Sequence, residues 1–170
     1  MTILAEAAAP LVRPGVRFVY THPAHFIAFA GGAGLAPFAP GTFGTLLAFP
    51  LFALQAAYAD DLTQVLVFII FFLIGAWACQ ATGRTLGVSD HGGMVWDETV
   101  AFLIVLFFTP AGWLWQIAAF VLFRFFDIVK PPPIRHFDRT LKNGFGVMFD
   151  DLLAAGYTLF VLALAKTLID

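Results

Sequence analysis

The chain has 170 residues, 61% hydrophobic and 12% charged, with a mean hydropathy of +0.89. A water-soluble domain carries about 25% charged residues, so this composition excludes one and indicates an integral membrane protein the size of a single domain. The formal charge of −2 points to no nucleic-acid partner, and the lone Cys79 excludes an internal disulfide or a multi-cysteine zinc site.

Residues 1–20 are read as a disordered lead-in. Met1–Pro10 has neither a basic start nor a sustained apolar run, so it is not expected to be a cleaved signal peptide. Residues 21–170 are read as one membrane-embedded domain. Thr21–Ala30 is too short to span and is expected to lie at the interface, with Thr21 as its cap and Pro23 in its first turn. Gly31–Thr45 is read as a Gly/Pro-rich loop. Five apolar segments complete the chain: Gly44–Ala59, Leu62–Ala81, Thr99–Thr109, Trp113–Phe126 and Leu152–Ile169. The third and fourth flank the Pro110-Ala111-Gly112 turn signal. A spanning helix needs about 20 residues, so these two must extend through Met94–Glu98 and past Arg124 and Asp127. The expected architecture is an all-α helical bundle with four to five spans.

Eight of the nine basic residues fall on one side of this topology, which is therefore expected to be cytoplasmic. Lys166 is the exception and can snorkel from near its helix end. Asp97 lies 12 residues before Thr109, and Arg124 lies 12 residues after Gly112. At 1.5 Å per residue, both sit roughly 18 Å from the turn, on one level. Asp150 and Asp151 are expected to begin the last span on the same side, and Thr42 and Thr45 the first.

Ionisable groups at the edge of apolar helices are costly and mark a functional site by default. Asp97, Glu98, Asp127, Asp150 and Asp151 together form an oxygen-rich set suited to Mg²⁺ and a phosphate. The plain alternative for each acidic pair is helix capping. Arg124, Asp127 and Lys130 recur at i, i+3 and i+6, either as a substrate-facing set or as a salt-bridge ladder. Arg135 and Arg139 serve as phosphate contacts or as the basic signal for orientation. The Gly41, Thr42 and Thr45 segment offers amide and hydroxyl donors to a phosphate, or is a membrane-entry turn. It lacks the GK[ST] of a Walker A loop. His91 is read as a supporting hydrogen-bonding residue.

Four segments in order, GLAPFAPGTFGTLLAFP, DHGGMVWDETVAF, FRFFDIVKPPPIRHFDR and GFGVMFDDLLAAG, resemble the phosphatidylglycerophosphatase A family from about His22 to Gly156. The resemblance implies a small multi-pass membrane enzyme of the inner membrane that uses Mg²⁺. Such an enzyme removes the terminal phosphate of phosphatidylglycerophosphate. By motif, the acidic residues carried over are Asp97, Glu98, Asp127, Asp150 and Asp151, and Lys130, Arg135, Asp138 and Arg139 also match family positions. This chain has Thr99 and Ala101, and Asn143-Gly144, where the family often has glycine. Either a water or one of Asp97, Asp127 and Asp150 is the nucleophile. The rival from another class is a membrane cation carrier or structural protein. A carrier would spread its acids through the membrane depth, whereas here they gather at one side. The oligomeric state is not legible.

Overall fold

The computed structural model describes residues 14–169, and among these it is helical with no strand. Residues 1–13 of the expected lead-in lie outside the described residues. Val16–Val19 form a single helical turn (α1), with Val19 buried. Helix α2 runs Pro23–Ala28, and its cap is His22, not Thr21: His22 Nδ1 accepts the Ala24 amide at 3.1 Å. A 3₁₀ segment, Ala30–Leu35, follows.

The long elements are α3 (Pro40–Tyr58), α4 (Asp61–Leu86), α5 (Trp96–Phe108), α6 (Trp113–Val129) and α8 (Gly144–Ile169), with the short α7 (Ile134–Thr140) before the last. Helix α3 starts inside the segment read as a loop and continues through Pro50. Asp60 caps α4 by accepting the Thr63 amide at 2.8 Å, and Gly87, at φ +72°, closes it. Asn143 caps α8, its Oδ1 accepting the Gly146 amide at 2.8 Å.

Among the described residues three helices, α3, α4 and α8, are long and apolar enough to cross a bilayer. The expected count of four to five spans was higher. Thirteen residues make α5 about 20 Å long, and seventeen make α6 about 26 Å, against a hydrocarbon core of about 30 Å. Helix α5 is nevertheless the central element. Phe102, Leu103 and Val105 belong to a core shared with α3, α6 and α8, whereas Val100 joins a second core with α2, α4 and α8. Cys79 is buried in that second core, consistent with a passive packing role.

Candidate active site

The first turn of α5 is locked from three directions. The Val95 amide donates to Ala28 O at 2.8 Å, tying it to α2. Trp96 Nε1 donates to Phe71 O on α4 at 3.1 Å. The buried Thr99 hydroxyl lies 2.9 Å from Gly44 O on α3 and from Val95 O. Thr99, one of the departures from the family pattern, thus joins α5 to α3. Asp97 and Glu98 are held between these anchors, in the first helical turn where acids complement the dipole.

Asp150 and Asp151 do not begin α8. The helix starts at Gly144, so Asp150 and Asp151 lie in its second turn and cannot be its cap. Both are buried, at 4% and 3% exposure. Asp151 meets Asp97 and Glu98: one carboxylate oxygen from each of the three lies within 4.8 Å of the others. Asp97 Oδ1, Glu98 Oε2 and Asp151 Oδ2 are all buried without a hydrogen-bond partner. Three desolvated carboxylates facing one another are strongly unfavourable as they stand. An all-oxygen donor set of this kind has the ligand chemistry that a hard divalent cation such as Mg²⁺ takes.

Arg124 closes this cluster from α6. Its Nη1 lies 2.7 Å from Asp127 Oδ2, 3.7 Å from Glu98 Oε1 and 3.3 Å from the buried Thr45 hydroxyl. Asp127 in turn neighbours Asp151. Arg124 is therefore spent on holding protein groups together. Thr45 donates its own hydroxyl to Gly41 O at 2.9 Å, inside α3. A Cβ on Gly41 would overlap Glu98 Oε1 and crowd the guanidinium, and one on Gly44 would lie 2.6 Å from Val95 O. Glycine at these two positions lets α3 approach the acidic end of α5. The Thr42 amide already donates to Ala39 O at 2.9 Å.

A second group forms around Lys130. Pro131 disfavours a helical residue before it, and Lys130 turns into the left-handed region at φ +47°, ending α6. Its ammonium then reaches Asp150 Oδ2 and, at 2.7 Å, Asp138 Oδ1 on α7. Burial alone would lower the Lys130 pKa, but Asp150 and Asp138 outweigh it and hold the ammonium protonated. Burial likewise opposes ionisation of Asp138, and the hydrogen bond from Lys130 outweighs it, so this pKa is lowered. Asp138 also lies 3.9 Å from Lys142. Ser89, Asp90, Asp138, Lys142 and Asp150 line a recess of about 10 Å³, room for about one water. Asp90 was not singled out from the sequence. Its side chain keeps accessible surface, but its carboxyl sits in this recess, where burial raises its pKa against the opposing pull of Lys130. Its adjacency to His91 in SDHGG was the available signal.

The structure thus divides the acids read as one set. Asp97, Glu98 and Asp151 converge, with Asp127 alongside on Arg124. Asp150 is turned to Lys130. Arg135 is exposed and donates to Val129 O at 3.3 Å, and Arg139 is exposed with no ion pair among the described residues. His91 Nδ1 accepts the Gly93 amide at 3.0 Å and its ring lies 6.0 Å from that of Phe29, so it shapes its own loop.

A family model described as phosphatidylglycerophosphatase A matches residues 26–166. A phosphatidylglycerophosphatase A of Haemophilus influenzae is 48% identical over 145 residues, covering 82% of this chain and 86% of that protein. One of Escherichia coli is 40% identical over 139 residues, covering 81% and 80%. A Bacteroides thetaiotaomicron protein provisionally named a phosphatidylinositol-3-phosphatase is 40% identical over 145 residues, covering 81% and 90%. No solved structure matches the chain.

Proposed function

We propose, for a chain that belongs to the phosphatidylglycerophosphatase A family, that it hydrolyses the terminal phosphate of phosphatidylglycerophosphate to give phosphatidylglycerol at the cytoplasmic face of the inner membrane. The observation that carries the chemistry is the convergence of Asp97, Glu98 and Asp151, each with a buried oxygen left without a partner. These three would hold Mg²⁺, which when bound would offset the charge of the phosphate and polarise it.

The remaining steps fall to the chain's own groups. Lys130, kept protonated between Asp138 and Asp150, supplies the compact positive charge for the phosphate oxygens. The exposed Arg135 and Arg139 draw the anionic headgroup to the rim. Arg124 holds Asp127 with its carboxylate beside Asp151, where it is the base for the attacking water. Water oxygen bonds to phosphorus as the phosphorus–oxygen bond to glycerol breaks. The water's proton goes to Asp127 and the leaving alkoxide takes one from solvent.

The acids gather at one end of α5, α6 and α8, which favours this reading over a cation path through the membrane. The Bacteroides relative favours one second reading, a phosphatidylinositol 3-phosphate headgroup. Purified protein in lipid vesicles should release phosphate from phosphatidylglycerophosphate only with Mg²⁺ present, and chelation should abolish release. Faster release from phosphatidylinositol 3-phosphate would select the second reading. Release from neither lipid, with Mg²⁺ bound, would overturn both.

A further inference from the structure

Helix α5 ends at Phe108 after thirteen residues, while its neighbours α4 and α8 each run for twenty-six. The short helix leaves the space between them unfilled. The result is a groove of about 340 Å³ with an entirely apolar lining. Leu152 of α8, next in chain to Asp151, is among the residues that line it. Val65, Ile69 and Leu73 form its outer wall on α4, and Ile104 and Phe108 its α5 side. From Leu73 to Val65 the wall extends about 12 Å along α4, away from the end of the bundle that carries the carboxylates. At Phe108 the groove adjoins a second apolar cleft that passes Leu162 to Lys166.

We infer that this groove takes one acyl chain of the substrate lipid. The inference rests on the lipid-phosphatase reading above and assigns a subsite to it. An apolar lining rules out a headgroup or a polar peptide as occupant. Packing of a second copy is disfavoured by the wall itself. Helices associate in membranes through small residues that let backbones approach, whereas the outer wall presents Val65, Ile69 and Leu73, bulky and partly to well exposed at 37%, 52% and 62%. A hydrocarbon chain is flexible enough to lie among such side chains. The groove's direction also fits: a lipid whose phosphate reaches Asp151 has its chains pointing inward, along the wall that runs from Leu73 to Val65.

The test compares dioleoyl- and dihexanoyl-phosphatidylglycerophosphate in mixed micelles with the full-length protein. Wild type should prefer the dioleoyl lipid in kcat/KM. Ile69→Trp, on the exposed wall, and Ile104→Phe, on the floor, should each lower that preference by about tenfold, the range expected when an apolar pocket loses fit to its ligand. Hydrolysis of the dihexanoyl lipid should be unchanged. A folded Ile69→Trp protein with the wild-type ratio would overturn the inference. Independently of turnover, a lipid phosphonate with a mid-chain diazirine should label α4 peptides containing Ile69 and Leu73. Excess unlabelled phosphonate should compete this labelling, and phosphatidylcholine should not. Equal competition by phosphatidylcholine would mean ordinary boundary lipid and would overturn it. So would a Leu73→Cys disulfide dimer formed in membranes of a Cys79→Ala protein, since that puts a second copy on this face. Loss of phosphate release from both lipids in wild type would instead count against the activity itself.

Discussion

The guanidinium of Arg124 on α6 lies 3.7 Å from the carboxylate of Glu98 on α5, and the same nitrogen lies 2.7 Å from Asp127. One cation therefore joins two helices of a hairpin at its open end and fixes both acids there. Arg124→Met should leave both carboxylates, only 13% and 11% exposed, without this cation. Removing one partner of a buried pair costs about 3–5 kcal/mol, so the variant should unfold at a clearly lower temperature in detergent and lose activity. Arg124→Lys should recover most of the stability but not the geometry, because an ammonium cannot serve Asp127, Glu98 and Thr45 as a fork does. Thermal unfolding and kcat on the two variants check this; equal stability of Arg124→Met and wild type would refute it.

Metal affinity should separate the two groups of acids. Asp97→Asn and Asp151→Asn remove charge from the converging set and should weaken Mg²⁺ binding by orders of magnitude. Asp138→Asn frees one contact of Lys130 and should leave the Mg²⁺ dissociation constant near wild type while raising KM. Titration calorimetry with Mg²⁺ alone reads this without turnover. An Asp138→Asn loss as large as that of Asp151→Asn would merge the two groups.

Gly41 should tolerate no side chain. Gly41→Ala drives a methyl into Glu98 and the Arg124 guanidinium, so activity should fall at least about tenfold, the scale of a small misplacement of catalytic groups. Gly156→Ala provides the contrast. Nothing lies within 4 Å of the new methyl, and replacing a helical glycine with alanine stabilises by roughly 0.5–1 kcal/mol.

His25 should make the fold sensitive to mild acid. It packs flat on Phe18 at 4.3 Å, and its Nδ1 lies 3.0 Å from the Thr82 hydroxyl on α4. Burial, and then the nearby His22, lower its pKa. The folded state therefore holds His25 neutral, while the unfolded chain takes up a proton below about pH 6.5. Stability from this group is complete above that pH and is lost as pH falls through and below it. The unfolding temperature should drop between pH 7.5 and 5.5, and His25→Gln should flatten that slope. An unchanged slope would remove His25 as its source.

Orientation is checked by labelling. Single cysteines replacing Arg84 and Arg135, in a Cys79→Ala background, should be shielded from an impermeant thiol reagent in intact cells and labelled after lysis. Labelling from outside at both would reverse the proposed orientation.

The membrane class, the helical architecture and the level of the acidic residues were legible in the chain itself. Composition is a property of the sequence, and distance from a turn is simply residue count times helical rise, which is why Asp97, Glu98 and Arg124 could be placed together without coordinates. Their distribution among partners was not legible. Asp150 and Asp151 are adjacent in sequence, but successive helical residues point about 100° apart. Which of them meets Asp97 and which meets Lys130 depends on how α8 sits against α5 and α7. Gly41 was read as a phosphate donor because its spacing suggested a loop. Only the close approach of α3 to α5 shows that its missing Cβ makes room for Glu98. Asp90 is not legible as a site residue because the groups that share its recess, Asp138, Lys142 and Asp150, come from distant parts of the chain. The groove beside Leu152 exists because α5 is half the length of α4 and α8, and a mismatch between packed helices appears only once they are packed.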